Sequence, residues 1–417
     1  MKSSIKRQPN EKHGAIASQL RRQIINAHYR PGEILPTRAV LCQHLGTTAV
    51  TLQKAFARLK EDGFIVTSGR LGSRVAERPP HLSRFGLVFR GAPTKNRQPD
   101  FNQHWTFFQA AFAQVATQLR SQTADLELVP FFGVDERLES GDANRLVEDV
   151  RHERLAGVIF IDPPWWLGGV PAFQNSTVPC ISFATAPHYP PCPFIRRDGV
   201  PWMRRAVAYL KQRRRVRPAV ILGVRAAGFD GDPNNQRLMD CVKSEWPALP
   251  DHLIYPVHVG APEMACKLVQ TLMTLPAAIR PDAVLVNDDH LIEQVARGLA
   301  HAPVGVGQEL DVVSHANFPL LPPVAVPVKF LGYDVVTIFQ TCIELLTAQR
   351  EGRQLDMVTP WEPVFDHEII SRPAVGERAR DSGQRSEEVS GRGIAVSGQR
   401  SAVRGGQRAA AVAERVS

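Results

Sequence analysis

The chain has 417 residues, 43% of them hydrophobic and 22% charged, with 50 Lys/Arg against 41 Asp/Glu and a net charge of +9. That length exceeds one ordinary core and predicts two or three domains. No apolar run approaches the roughly 18 residues that span a bilayer, and the opening MKSSIKRQPNEKHG lacks the apolar centre of a secretory signal, so a cytosolic protein with no membrane partner is expected.

The charge is unevenly placed. Residues 1–80 hold 14 Lys/Arg against 5 Asp/Glu, residues 81–371 hold 27 against 31, and residues 372–417 hold 9 against 5. A basic first segment on a near-neutral body is the pattern of one module that faces phosphates and another that does not. Six cysteines are scattered without a C-x-x-C pair or a histidine cluster at metal spacing. They read as reduced thiols, several of them buried, and neither a metal nor a cofactor is expected.

Residues 1–12 read as a flexible N-terminus and 13–77 as a DNA-binding domain. Between His13 and His28 the apolar residues Ile16, Leu20, Ile24 and Ala27 recur at spacings of three and four, which predicts a helix ended by Pro31 and Gly32. Thr37 is placed to cap a second helix with Val40, Leu41 and Leu45 facing inward, and Gly46 supplies a left-handed turn. Thr47 or Thr48 then caps a third helix that buries Leu52, Ala55, Phe56 and Leu59. VTSGRLGSRVAE adds two short β-prone runs around a Gly-rich basic turn. The whole is a winged helix-turn-helix, in which the outward residues at the start of the third helix enter the major groove of double-stranded DNA.

The ungapped run from Leu35 to Ile65, with Arg70 and Ser73 in the wing, resembles the GntR family of bacterial regulators. The resemblance places the hydroxyls of Thr48 and Thr51 at phosphate-contacting positions and Gln53 at another contact, to adenine or to the backbone. Lys54 and Arg70 are suited to pairing with phosphates. Two arginines of the family pattern fall on Ala39 and Ala49, and Arg38, one place before Ala39, replaces the first in part. This implies unusual or weakened sequence readout.

Residues 78–83, which include Pro79 and Pro80, read as a short stiff linker. From residue 84 to 371 strands and helices alternate: FGLVFRG, a helix over His104–Ser121, LELVPFFGV, a helix over Ala143–Leu155, GVIFID, VPCISFAT, a helix over Pro201–Gln212 and PAVILGV. A helix over Arg237–Ser244, the strand HLIYPVHV and a helix over Pro262–Leu275 follow. PDAVLVNDDHLIEQVARGLA then runs from strand to helix through Asn-Asp-Asp, and ELDVVSH and a terminal helix over Leu331–Arg350 complete the series. Continuous apolar strands between helices predict parallel sheets covered on both faces, with ligands beyond the strand carboxyl ends.

Ile195-Arg-Arg-Asp198-Gly before a helix, Asn287-Asp288 after a strand, Asp311-Val-Val and Pro322-Pro323 fall in an order similar to the LacI/GalR effector domain. The fold class expected is therefore α/β: an N-terminal winged helix-turn-helix plus a two-lobed, type I periplasmic-binding-protein-like domain with parallel sheets. That resemblance implies ligand contacts from Asp288 and Arg237, a carboxylate that accepts and a guanidinium that donates. Asp162, Trp165 and Trp166 follow a strand where a cleft loop should lie. One tryptophan could equally pack while the other covers a lobe edge, and Asp288 could equally cap its helix. His104 and Trp105 are weaker candidates.

Residues 372–417, with SGQRS repeated and few large apolar residues, read as a disordered tail. No P-loop, nucleophile elbow or His-Glu-x-x-His motif occurs, histidines such as His188, His258 and His290 look isolated, and the body is too poor in lysine for an aminotransferase-like domain. The expectation is a regulator and not an enzyme: a homodimer on a DNA operator, controlled by a sugar-like small-molecule effector. The alternative is a solute-binding or interaction protein with a vestigial head.

Overall fold

A computed structural model of the chain describes residues 9–68, 72–91, 126–184, 191–224 and 233–370. The helix expected over His104–Ser121, with His104 and Trp105, lies outside the described residues, as do Arg70, His188 and the tail.

Helix α1 (Pro9–Ile25) starts and ends earlier than its apolar spacing suggests. It buries Ala17, Leu20 and Ile24, whereas Ala27 lies exposed beyond its end with φ 57°. Tyr29 fills the core there. Thr37 caps α2 (Arg38–His44) by accepting from Val40 N. Leu41 is buried but Val40, expected inward, is exposed, because adjacent helical residues point about 100° apart and a two-turn helix presents only one narrow face. Gly46, at φ 57°, makes the left-handed turn. Thr48 caps α3 (Ala49–Glu61), and Leu52, Ala55, Phe56 and Leu59 close the small core. Strands β1 (Ile65–Thr67) and β2 (Ser73–Val75) pair antiparallel, and Ile34 bridges to Arg74 on the far side. These elements make the winged helix.

The linker is not a free spacer. Pro80–Ser83 forms a helical turn, α4, in which Pro80 and His81 are buried. The His81 ring stacks on Phe64 with centroids 5.6 Å apart and planes 4° from parallel.

Two six-stranded sheets follow. The first joins β3 (Arg84–Val88), β4 (Glu127–Phe131), β5 (Gly157–Phe160), β6 (Cys180–Ala184), β7 (Phe194–Arg197) and β13 (Val358–Trp361) in the order β13-β7-β6-β5-β3-β4. Every pairing in it is parallel. The second joins β8 (Pro218–Val224), β9 (Ile254–His258), β10 (Ala283–Val286), β11 (Asp311–Phe318), β12 (Lys329–Asp334) and β14 (Val364–Phe365) in the order β14-β12-β11-β10-β8-β9. It is parallel except for β14, which runs antiparallel to β12.

The apolar runs on these strands are buried from both faces, as Val284, Leu285 and Val286 illustrate at 0% exposure. Helices α5 (Gly141–Arg151) and α6 (Pro171–Gln174) lie in the first lobe, and α7 (Gly199–Gln212), α8 (Pro233–Glu245), α9 (Glu263–Met273) and α10 (Ile292–Leu299) in the second. Among the described residues the chain passes between lobes three times. It crosses after β7 into α7, after β12 into α11 (Val335–Arg350), whose Ile338, Cys342 and Leu346 pack on the first sheet, and between β13 and β14.

The helix expected from Leu331 therefore begins only at Val335, since Phe330 to Asp334 is paired with β11 and capped by Asp334, whose side chain accepts from Thr337 N. Strands β13 and β14 and the short α12 (Asp366–Ile370) were not foreseen, being too short to carry a period. All six cysteines are free, and Cys192, Cys241 and Cys342 are buried. Among the described residues no helix is long and apolar enough to cross a membrane.

Candidate functional site

The exposed face of α3 carries Ala49, Val50, Gln53 and Lys54, opposite the buried stripe. Arg38 at the start of α2 is also exposed. Thr48 Oγ1 accepts from Thr51 N at 3.3 Å and lies 3.0 Å from Thr51 Oγ1. One of these hydroxyls therefore donates to the other, which leaves a single hydroxyl hydrogen to reach a phosphate. Ser73 opens β2 with its Oγ 3.5 Å from Thr67 Oγ1, at the base of the wing.

The opposite end of the head is fastened to the first lobe. Asp62, at the C-cap of α3, takes the guanidinium of Arg21 on one side and accepts from Arg154 Nη1 at 2.9 Å on the other. Arg154 in turn lies 2.7 Å from Asp149, and Asp149 lies 3.8 Å from Arg84 at the start of β3. Burial lowers the Arg21 pKa against the pull of Asp62, and burial raises the Asp149 pKa against Arg154, Arg84 and Arg145. Nearby, Arg58 Nη2 donates to His152 Nε2 at 2.7 Å while His152 Nδ1 donates to Glu148 O at 2.9 Å. This requires the neutral Nδ1–H tautomer, in keeping with a pKa lowered first by burial and further by Arg58.

A second constellation forms where the carboxyl ends of the two sheets face each other. Arg197, the last residue of β7, feels Tyr333 of β12, Asp162 beyond β5 in its own lobe and Asp289 beyond β10 in the other. Burial lowers its pKa against these attractions and that of Cys342, its guanidinium lies 5.0 Å from the Phe183 ring centre, and its Nε is buried without a hydrogen-bond partner among the described residues. Asp162 has open surface yet sits amid enough protein that burial raises its pKa, opposed by Arg90 N and Arg197.

From the second lobe, Asp288 Oδ1 accepts from His290 N at 3.1 Å and lies 2.7 Å from His290 Nδ1. Asp289 accepts from Asn317 Nδ2 at 2.9 Å and lies 3.5 Å from His290 and 3.8 Å from His315. Burial alone would raise the Asp289 pKa, but His315 and His290 outweigh it and hold the carboxyl below its usual value. The position of Asp288 depends on Gly223 in β8, where a Cβ would stand 2.6 Å from the Asp288 Cβ. Asn287 Oδ1 fixes the same spot by accepting from Gly223 N at 2.7 Å. At the crossing between lobes, Asp198 caps α7 and accepts from Arg237 Nη2 at 2.9 Å, while Tyr333 donates to its carbonyl at 2.9 Å.

The residues expected to meet a ligand are thus dispersed in role. Asp162 follows β5 in the first lobe and Asp288 follows β10 in the second, and Arg237 is held by Asp198. Trp166 is a packing residue, edge-on to Phe160 and Phe173 at 6.0 and 6.3 Å, whereas Trp165 is 48% exposed. His290 is not isolated, contrary to expectation, because the chain turns after β10 and folds its ring back onto Asp288. Sequence reasoning passed over Arg197, Asp289 and His315. The run Asn-Asp-Asp-His after an apolar strand pointed to the second of these, and Arg197 lies in the run Ile195-Arg-Arg-Asp198-Gly, which gave it no role of its own; nothing local pointed to His315, which meets Asp289 only through the fold. Asp288, Asp289 and His290 bring one ligating atom each within 4.8 Å of one another, although those atoms already engage each other. Carboxylates, imidazoles and guanidiniums converging from two lobes can both donate to and accept from a polar ligand.

Residues 12–75 match the model of the gntR family of bacterial regulatory proteins. No curated protein matches the sequence. Among solved structures, a regulatory protein of the LacI family from Chloroflexus aggregans is similar over 68% of this chain and 96% of its own, with 17% identity and a TM-score of 0.50. A LacI family transcriptional regulator from Lactobacillus casei with bound sucrose shares 17% identity over 68% of this chain and 98% of its own, with a TM-score of 0.47. The transcription regulator CcpA of Lactococcus lactis shares 13% identity over 68% and 97%, with a TM-score of 0.46. The head is thus a winged helix-turn-helix of the GntR family, a DNA-binding regulatory module, joined to a two-lobed α/β body with the fold of LacI-family regulators.

Proposed function

We propose that the protein is an effector-controlled transcriptional regulator, in which a small polar metabolite of the polyhydroxylated or sugar class binds between the lobes and changes the affinity of the head for an operator. The observation that carries the reading is the convergence of Arg197 and Asp162 from one lobe on Asp289 from the other, next to Asp288 and His290. Such a mixed set suits hydroxyls, each of which donates once and accepts twice. Closing the lobes around a ligand changes the separation of two heads only if two copies associate, so a homodimer on a two-fold operator belongs to the reading. The ligand can act only through unequal affinity for the two arrangements.

The test is calorimetric titration of the purified chain with a panel of monosaccharides, polyols and sugar phosphates, with Asp288→Ala alongside. Binding of one class that weakens at least tenfold in Asp288→Ala supports the reading. Binding that is equal in both proteins removes Asp288 from the site, and a monomer in sedimentation with and without DNA removes the dimer.

A further inference from the structure

The recognition helix presents to DNA a surface that is apolar in its first turn. Val50 is 65% exposed, the most exposed large apolar side chain of α3, and Ala49 beside it is exposed as well. Neither packs into the head, whose core is completed by Leu52, Ala55, Phe56 and Leu59 on the opposite face. Gln53 lies one turn on, on the same side as Val50, and Lys54 flanks it. Thr48 and Thr51, which bracket the apolar pair, are occupied with each other and with the helix cap.

We infer that this helix reads adjacent A·T pairs, with Val50 and Ala49 against thymine 5-methyl groups and Gln53 on the adenine edge. The inference rests on the DNA-binding reading of the head and names the base pairs it selects. In the major groove only thymine offers a methyl group, and apolar side chains contact it, while a glutamine amide matches the N6 donor and N7 acceptor of adenine. Guanine is read by bidentate Arg or Lys. In the first two turns of the exposed side of α3 the cation is Lys54, whose ammonium is suited to pairing with a phosphate, while Lys60 lies at the far end of the helix. Val50 and Gln53 are separated by about 4.5 Å of helix rise, close to one base-pair step, so they address neighbouring pairs.

The experiment is selection of the full-length protein on a randomised 24-base-pair duplex library, followed by titration of the enriched duplex with thymine replaced by deoxyuridine at each enriched T. Enrichment of adjacent A·T pairs is expected, with each critical uracil weakening wild-type binding about fourfold, the effect of one buried methyl. In Val50→Ala the penalty shrinks at the thymine facing that residue and persists at the one facing Ala49, and in Gln53→Ala preference for the neighbouring adenine falls on the order of tenfold. Both changes lie on an exposed helical surface and leave the core intact. Enrichment of G·C pairs at the centre of the half-site, a uracil duplex bound as tightly as its thymine parent, or a penalty undiminished at every thymine in Val50→Ala overturns the inference while DNA binding stands. Failure to bind any duplex overturns the DNA-binding reading itself, and the inference with it.

Discussion

Asp62 holds two arginines from different parts of the molecule: Arg21 of the first helix, and Arg154, which follows α5 in the first lobe. The carboxylate and Arg21 are both nearly inaccessible, with 4% and 2% of their side chains exposed. A desolvated pair of this kind is not a net source of stability compared with apolar packing, but removing one partner strands the other. What the arrangement supplies is a direct ionic contact between the C-terminal end of α3 and the first lobe.

Asp62→Ala leaves the buried guanidinium of Arg21 without its counter-ion and leaves Arg154 paired with Asp149 alone. The expected loss is about 3–5 kcal/mol, concentrated in the head. Hydrogen exchange checks this: amides of α1 and α3 should lose protection while those of β8 and β10 keep it. Equal protection throughout would show that the contact is dispensable.

His81 makes the same region sensitive to pH. Burial, reinforced by Arg350, pushes its pKa down to about 4 from 6.5, and its Nδ1 is buried without a partner among the described residues. Because the folded pKa is lower than the unfolded one, the unfolded chain binds the proton first. Stability from the neutral ring is complete above about pH 6.5 and is lost as the pH falls toward 4, by about 3 kcal/mol. Urea midpoints at pH 7 and pH 4.5 measure the loss. In His81→Phe, which keeps a ring against Phe64, the difference between the two midpoints should shrink.

Gly223→Ala tests how Asp288 is positioned. The new methyl would stand 2.6 Å from the Asp288 Cβ and 2.9 Å from its Oδ2, so the loop after β10 must move. We expect a stability loss of about 1–3 kcal/mol from overpacking and at least tenfold weaker binding of whichever compound the wild type binds. Unchanged affinity with an unchanged melting temperature would mean the loop yields freely.

Gly46 gives a smaller and cleaner effect. A Cβ there meets nothing within 4 Å, but the backbone is left-handed. Gly46→Ala should therefore cost about 1 kcal/mol through conformation alone, read as a lower denaturation midpoint of the head with the body unaffected.

Much of this architecture is legible in the sequence because it is local. Thr37 and Thr48 as caps, Gly46 as the turn, and the stripe Leu52, Ala55, Phe56 and Leu59 all follow from short-range rules, as do the apolar strands flanked by helices. What the sequence hid depends on contacts between distant segments. Leu331 reads as part of a helix until β11 pairs with it, and His81 reads as linker until Phe64 stacks on it. Asp162 and Asp288 could be placed by strand ends, but Arg197, His315 and the Asp62 contact join residues tens to hundreds of positions apart. Trp165 and Trp166 look equivalent in sequence, and only the neighbouring phenylalanines separate a packed ring from an exposed one.

In the proposed function, occupancy of the site between the lobes is felt at the DNA. The direct measurement is the affinity of the full-length protein for its selected duplex, with and without a saturating amount of the compound that binds best in the calorimetric panel, in wild type and in Asp288→Ala. At least a fivefold change in the wild type that is absent in Asp288→Ala is predicted. A compound that saturates the wild type yet leaves its duplex affinity unchanged would contradict the account.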